Sequence, residues 1–338
     1  NPKDMLVLQE HLPAHLAAAH PHHSGVEMLK SILELDVQCL STRDCTGRCP
    51  LHVASANEKG AFAEEAVGVM LEHAPETAFT QDHSGMLGIH HACLNSGDFA
   101  GSITGRLISV FSPGTQVVDD YGRLPLECAL SSSSEGVGEI IKSVVGAFPP
   151  AARVLDKHGN NVLHRASQAI QDNHNAPRII EALLELKIRP NAGALFNYSR
   201  QLPLHVASYS SSERAPRCLE MLADGYIPGS WTQDMKGQTP LHLAIGARNL
   251  ESVRVLTIKS RDKAQHLQNS DNKFPLNLAT SRTYREVICH KGGQNNKGDN
   301  FTRRLIAGMS YVWCGASLVG LVSSLNEGRT WVVKIEGS

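Results

Sequence analysis

Aromatic residues are scarce in this chain. Phe, Trp and Tyr together make up 5% of its 338 residues. A core of interlocked rings is excluded, so small and aliphatic side chains must fill the interior. Neither sign of charge prevails: 32 Lys and Arg face 33 Asp and Glu, for a formal net charge of −1. That balance argues against a general nucleic-acid binder, which needs clustered positive charge. Eight cysteines are present, but none stands in a C-x-x-C pair. The expected compartment is therefore reducing and intracellular, without a disulfide framework. Phosphate-cradling and nucleophile-elbow motifs are missing. The first thirty residues do not read as a signal peptide, because the apolar run around Leu12 to Ala19 is short and interrupted by His15.

What is present is a period. Pro50-Leu51-His52-Val53-Ala54, Pro203-Leu204-His205-Val206-Ala207 and Pro240-Leu241-His242-Leu243-Ala244 share one pattern. Weaker copies start at Pro13, Gly88, Pro125, Val162 and Pro275. The eight anchors are separated by 37, 38, 37, 37, 41, 37 and 35 residues. Six residues before seven of them stands an Asp or Asn: Asp44, Asp82, Asp119, Asp156, Asn197, Asp234 and Asn269. Three residues after the Asp comes a glycine (Gly47, Gly85, Gly122, Gly159, Gly237), replaced by Arg200 and Asn272 in the two Asn-led copies. D-x-x-G is turn chemistry: the carboxylate takes nearby amide hydrogens and the glycine accepts positive φ. Proline at the head of the next run suits the first turn of a helix. Apolar spacing in Ile179, Ile180, Leu183, Leu184 and Leu186 marks a second helix, and such a face can be buried only against a neighbouring unit.

These residues resemble the ankyrin repeat, whose T-P-L-H-x-A signature recurs about every 33 residues. The resemblance covers about residues 5 to 290. It implies a β-turn finger followed by two antiparallel helices per unit, so the expected fold is an all-α solenoid of about eight divergent copies. The longer period here points to polar loops between the helices, at Ser131–Ser134 and Ser208–Ser212. Only Thr239 keeps the family's threonine, with Cys49, Leu87, Leu124, Leu202 and Phe274 elsewhere. A lost Thr cap is worth about 1 kcal/mol, so looser helix starts are expected. The resemblance assigns structural hydrogen bonds to His15, His52, His90, His164, His205 and His242. Cys45, Cys49 and His52 form C-x3-C-x2-H without a fourth ligand, and His11, His20, His22 and His23 form a loose surface group. No metal, cofactor or catalytic residue is expected from either set.

Beyond residue 290 the character changes. Residues 291–302 read as a flexible linker, 303–326 as a hydrophobic helix, and 327–338 as a short tail. Leu305 to Asn326 carries no charged side chain. As a helix, this stretch would be about 30 Å long, the thickness of a bilayer core. A single transmembrane helix over 305–325 is the expectation, with Arg303 and Arg304 holding the repeats on the intracellular side.

The functional expectation is a non-catalytic scaffold for protein partners, tethered to an intracellular membrane, as an accessory subunit of a larger complex. Alternatives are a fragment of an ankyrin-bearing channel or transporter, and a soluble adaptor whose last helix caps the stack. The expected partner contacts flank the finger acids: Thr46, Arg48, Met86, Tyr121, Arg123, His158, Tyr198, Gln201, Met235, Lys236 and Gln238. Basic residues at Arg43, Arg48, Arg123, Lys157, Arg200, Lys236 and Lys273 line the fingers and suggest an acidic partner surface.

Overall fold

Seven times along the chain, one side-chain oxygen organises a turn. Asp44 Oδ1 accepts the backbone N–H groups of Thr46 (2.8 Å) and Arg48 (2.9 Å). The same pair of bonds, to the residues two and four further on, is made by Asp82, Asp119, Asp156, Asn197, Asp234 and Asn269. Asparagine serves as well as aspartate because only one oxygen is needed. Each finger then turns through positive φ, between 67° and 77° at the five glycines. Arg200 (56°) and Asn272 (57°) adopt the same conformation. For Arg200 that costs about 1 kcal/mol in steric crowding.

The computed structural model describes residues 12–59, 61–186, 191–279 and 282–289, and the strand residues 309–314, 317–324 and 330–332. Each finger feeds a short first helix and a longer antiparallel second helix. The eight pairs are α1 (Pro13–Ala19) with α2 (His23–Leu35), α3 (Pro50–Ala56) with α4 (Ala61–His73), and α5 (Gly88–Leu94) with α6 (Ala100–Val110). Next come α7 (Pro125–Ala129) with α8 (Val137–Ala147), α9 (Val162–Gln168) with α10 (Ala176–Glu185), and α11 (Pro203–Ser208) with α12 (Ala215–Gly225). The last are α13 (Pro240–Gly246) with α14 (Leu250–Lys259), and α15 (Pro275–Leu278) with α16 (Arg282–Cys289). Second helices pack on second helices along the whole row. One continuous apolar cluster runs from Ala17 to Ile288, with Ile140, Val144, Ile179, Ile180 and Leu219 fully buried. The polar loops expected at 131–134 and 208–212 do connect first to second helices.

Histidine joins neighbouring units. His52 Nδ1 accepts the Cys49 N–H that opens its own helix (3.1 Å), and His52 Nε2–H donates to the Met86 carbonyl of the next finger (3.1 Å). His205 and His242 repeat the arrangement, reaching the carbonyls of Thr232 and Lys273. His15 and His164 reach those of Arg48 and Gln201. His90 accepts the Leu87 N–H, but its Nε2 is buried without a bonded partner. Unit four has Glu127 in this place. Its carboxylate accepts the Leu124 N–H and pairs with Arg165 of unit five, so it performs both tasks with a charge.

The helix starts differ from expectation. Leu87, Leu124 and Leu202 are buried at the cap position, and the first two amide hydrogens are met by the side chain three residues on. The Thr239 hydroxyl lies 2.8 Å from His242 Nδ1 and caps no backbone group. Burial replaces capping, which explains why the missing threonines leave these starts ordered.

Two edges of the stack are stitched. On the finger edge, backbone N–H groups of His83, Asp120, Tyr198, Met235 and Ser270 donate to the preceding finger at Thr46, Ser84, His158, Ser199 and Lys236. On the loop edge, Asn57, Asn95, Asn173 and Asn249 donate Nδ2 to carbonyls of the unit before. Between units four and five the finger bond is missing among the described residues, and α7 and α9 pack least closely of the successive first helices. The loop edge stays closed there through Asn173 and Asn175.

The C-terminal expectation is corrected in part. Within 303–326, Met309–Cys314 and Ser317–Ser324 are strands, not a helix. With Thr330–Val332 they form an antiparallel sheet in the order β1-β2-β3, where β1 is 309–314, β2 is 317–324 and β3 is 330–332. Val312, Trp313, Val319 and Val322 are residue types that favour strand. No helix among the described residues is long and apolar enough to cross a membrane. An open sheet cannot span lipid alone, because its edge groups stay unpaired. The linker expected at 291–302 lies outside the described residues.

Burial holds every linking histidine that shows a shift below its ordinary value. His52 and His205 fall to about 4, and His90, His164 and His242 move the same way. The native chain therefore stays neutral at these sites while the unfolded chain takes up protons below about 6.5. Stability is complete above that pH and is lost as pH falls toward about 4. Urea denaturation is expected to show a loss of roughly 2 kcal/mol for each of His52 and His205 between about pH 7 and about pH 5. A flat profile over that range contradicts neutral buried histidines.

Candidate interaction surface

The fingers project one or two residues beyond the carboxylate that shapes them. The tip backbones join neighbouring fingers, but the tip side chains are exposed, and several are large and apolar. Tyr121 is 75% exposed, Tyr198 71% and Met235 70%. Thr46, His158 and Lys236 are also exposed. Six of the sequence-expected contact residues thus sit at the tips.

Others are committed elsewhere. Met86 is buried at 6% exposure, its N–H held by Asp82 and its carbonyl by His52, so it is removed from the contact surface. It occupies the finger's fourth position after the acid, whose carbonyl meets the histidine of the preceding unit. Arg48, Arg123, Gln201 and Gln238 share that position and are half-buried. Arg48 Nε lies 3.6 Å from Asp82 of the next finger. Arg123 pairs with its own Asp119 at 2.8 Å and places its guanidinium 5.0 Å from the centre of the Tyr121 ring. This contact supports Tyr121 from beneath. Gln201 donates to Tyr209 (3.1 Å) and Asp234 (3.3 Å). Arg43 donates to the Gln81 carbonyl (3.2 Å). Three of the seven finger cations are thus engaged within the solenoid. The other four, Lys157, Arg200, Lys236 and Lys273, make no ion pair among the described residues.

The finger acids are anchored as anions. Partial burial alone would raise Asp119, but the Arg123 N–H and guanidinium outweigh it and hold the carboxyl below its ordinary value. At Asp82 burial is likewise outweighed, by the His91 ring at 2.9 Å and the N–H groups of Met86 and Ser84. His91, itself lowered by burial, stands edge-on to His52 with ring centres 5.6 Å apart. Cys49 Sγ sits 3.0 Å from His52 Nδ1 inside this packing and is pushed up by burial. Of the C-x3-C-x2-H residues, Cys49 and His52 are parts of a helix start and Cys45 stands exposed in the finger turn, and no group of three or more metal-ligating side chains occurs among the described residues.

Between the fingers and first helices of units five and six lies a groove of about 440 Å³. His158, Asn160, Asn197 and Ser199 form its finger side, with Gln168, Gln171, Val206 and Tyr209 on the helix side. The sequence reading missed its helical side, because it ranked only finger positions. The signals available were the 41-residue step at this junction and Tyr209 within an otherwise serine-rich loop. A smaller groove of about 190 Å³ lies on the opposite face between α8 and α10, lined by Glu139, Lys142, Arg178 and Glu185.

Residues 236–267, which hold the tip of the seventh finger and both helices of its unit, match the family model "Ankyrin repeat". No curated protein matches the chain. Among solved structures, the chain is similar to the ankyrin repeat domain of Bcl-3, described as a member of the IkappaB protein family. The identity is 16%, over 83% of this chain and 99% of that one, with a TM-score of 0.44. The matched unit and its recurrence from Pro13 to Cys289 assign the family: the chain is an ankyrin-repeat protein.

Proposed function

We propose that this chain is a non-catalytic scaffold that binds protein partners along its finger tips and first helices. The observation that carries the reading is the tip row Tyr121, Tyr198 and Met235. These large apolar side chains are mostly exposed and contribute little to the fold. Aromatic anchors of this kind dominate binding energy at protein interfaces. A further support is the character of the groove between units five and six, whose lining holds no carboxylate, lysine or cysteine and a single histidine, His158. The case for an acidic partner is reduced to Lys157, Arg200, Lys236 and Lys273, since the guanidinium groups of Arg43, Arg48 and Arg123 are already engaged.

Affinity capture with the full chain, compared with the Tyr121→Ala, Tyr198→Ala, Met235→Ala triple variant, tests this reading. Partners captured by the first are expected to be lost from the second while both melt at the same temperature. Equal capture by both would remove the finger tips from the interface.

Membrane attachment, within a larger complex, is a separate part of the proposal. Its support is the run of uncharged positions 305–326. Because its described part is a hairpin, neighbouring strands or helices of a membrane complex would have to satisfy its edges. Alkaline washing of membranes is expected to leave the full chain in the pellet and to release a chain ending at residue 300. Release of both contradicts the attachment.

A further inference from the structure

We propose that the groove between units five and six is a recognition site for an extended, uncharged segment of a protein partner, one bearing amide and hydroxyl side chains. The proposal rests on the scaffold reading and adds the chemistry of the partner.

The groove's lining carries hydrogen-bonding groups throughout and no formally charged residue. The Gln168 side chain is exposed and makes no hydrogen bond among the described residues. Gln171 uses only its oxygen, accepting from the hydroxyls of Ser210 (3.0 Å) and Ser211 (3.4 Å). Its Nε2 group makes no hydrogen bond among the described residues. The Tyr209 hydroxyl accepts from Gln201 and keeps its own proton for a partner. Ser167 closes the floor. It is 1% exposed and its hydroxyl has no partner. Ser55, at the same place in unit two, is likewise buried without a hydrogen-bond partner, but no comparable groove opens beside it among those described.

These groups fit main-chain amides and Asn, Gln, Ser or Thr side chains, which both donate and accept. A charged side chain seated among the lining groups would lose water and find no counter-charge in the lining itself, a loss that neutral groups avoid; the free cations of these two fingers, Lys157 and Arg200, are not part of the lining. The volume falls within the range of ligand sites. Adjacent helices stand about 10 Å apart, so a strand at ~3.4 Å per residue would cross the groove in about three residues.

The test is selection of random peptides of about twelve residues, displayed on phage, against the full chain. The enriched peptides are expected to share a short uncharged stretch rich in Asn, Gln, Ser or Thr. The Gln168→Ala, Gln171→Ala double variant also removes the acceptor of Ser210 and Ser211 and is expected to melt slightly lower, whereas the Gln168→Ala single variant, at an exposed side chain, is expected to melt unaltered. Losing two neutral hydrogen bonds should weaken peptide binding about tenfold. A Ser199→Lys variant, which places a charge on the rim, should weaken the same peptides. Enrichment of acidic or wholly apolar peptides, binding indifferent to both variants, or no enrichment would each overturn the proposal. Peptides that ignore both variants but are lost with Tyr121→Ala and Tyr198→Ala would overturn the groove alone and leave the scaffold standing. Absence of any peptide together with failure of the affinity capture would remove both.

Discussion

A neutral imidazole held between two units is the contact on which the solenoid depends. Its Nδ1 takes the amide hydrogen that opens its own first helix, and its Nε2–H reaches a carbonyl at the next finger. At His52, His205 and His242 both bonds form. A protonated ring could not accept at Nδ1, so the geometry and the burial both demand the neutral form. The same finger is shaped by an Asp or Asn whose oxygen binds two amides. The carbonyl that receives the histidine is thus oriented by one unit and used by another. Helix start, turn and stacking are a single hydrogen-bonded assembly, and the apolar faces of the second helices bury against each other behind it.

The exceptions follow from the same logic. Unit four substitutes Glu127, which reaches Arg165 by charge, and beside it the finger-to-finger bond is absent. Asn173 and Asn175 keep the loop edge closed at that point. One junction along, units five and six leave a groove whose polar groups are only partly used. The part of the stack that departs most from regular repetition therefore adjoins the groove.

Much of this was legible in the sequence. The D-x-x-G spacing gave the fingers, because a turn acid and a positive-φ residue leave a local signature. The P-L-H-x-A run gave the first helices and the buried histidines. What was not legible depended on neighbours distant in sequence. Met86 looked like a tip residue, yet it is buried and its carbonyl meets the histidine of the preceding unit. Arg48 and Arg123 read as free cations, but carboxylates supplied by the fingers claim them. Leucines at helix starts suggested loss of stability, whereas burial compensates. Residues 309–324 carry an apolar run that fits either a helix or a pair of strands, and periodicity alone does not separate the two. The groove needs two first helices and two fingers side by side, which no single stretch of residues displays.

Native-state hydrogen exchange on a His205→Ala variant tests the central claim most directly. The account predicts that protection falls in units six and seven, at the start of α11 and around the carbonyl of Thr232, while units one to three exchange as in the unaltered chain. Unchanged protection around α11 and Thr232, or an equal loss throughout the stack, would contradict it.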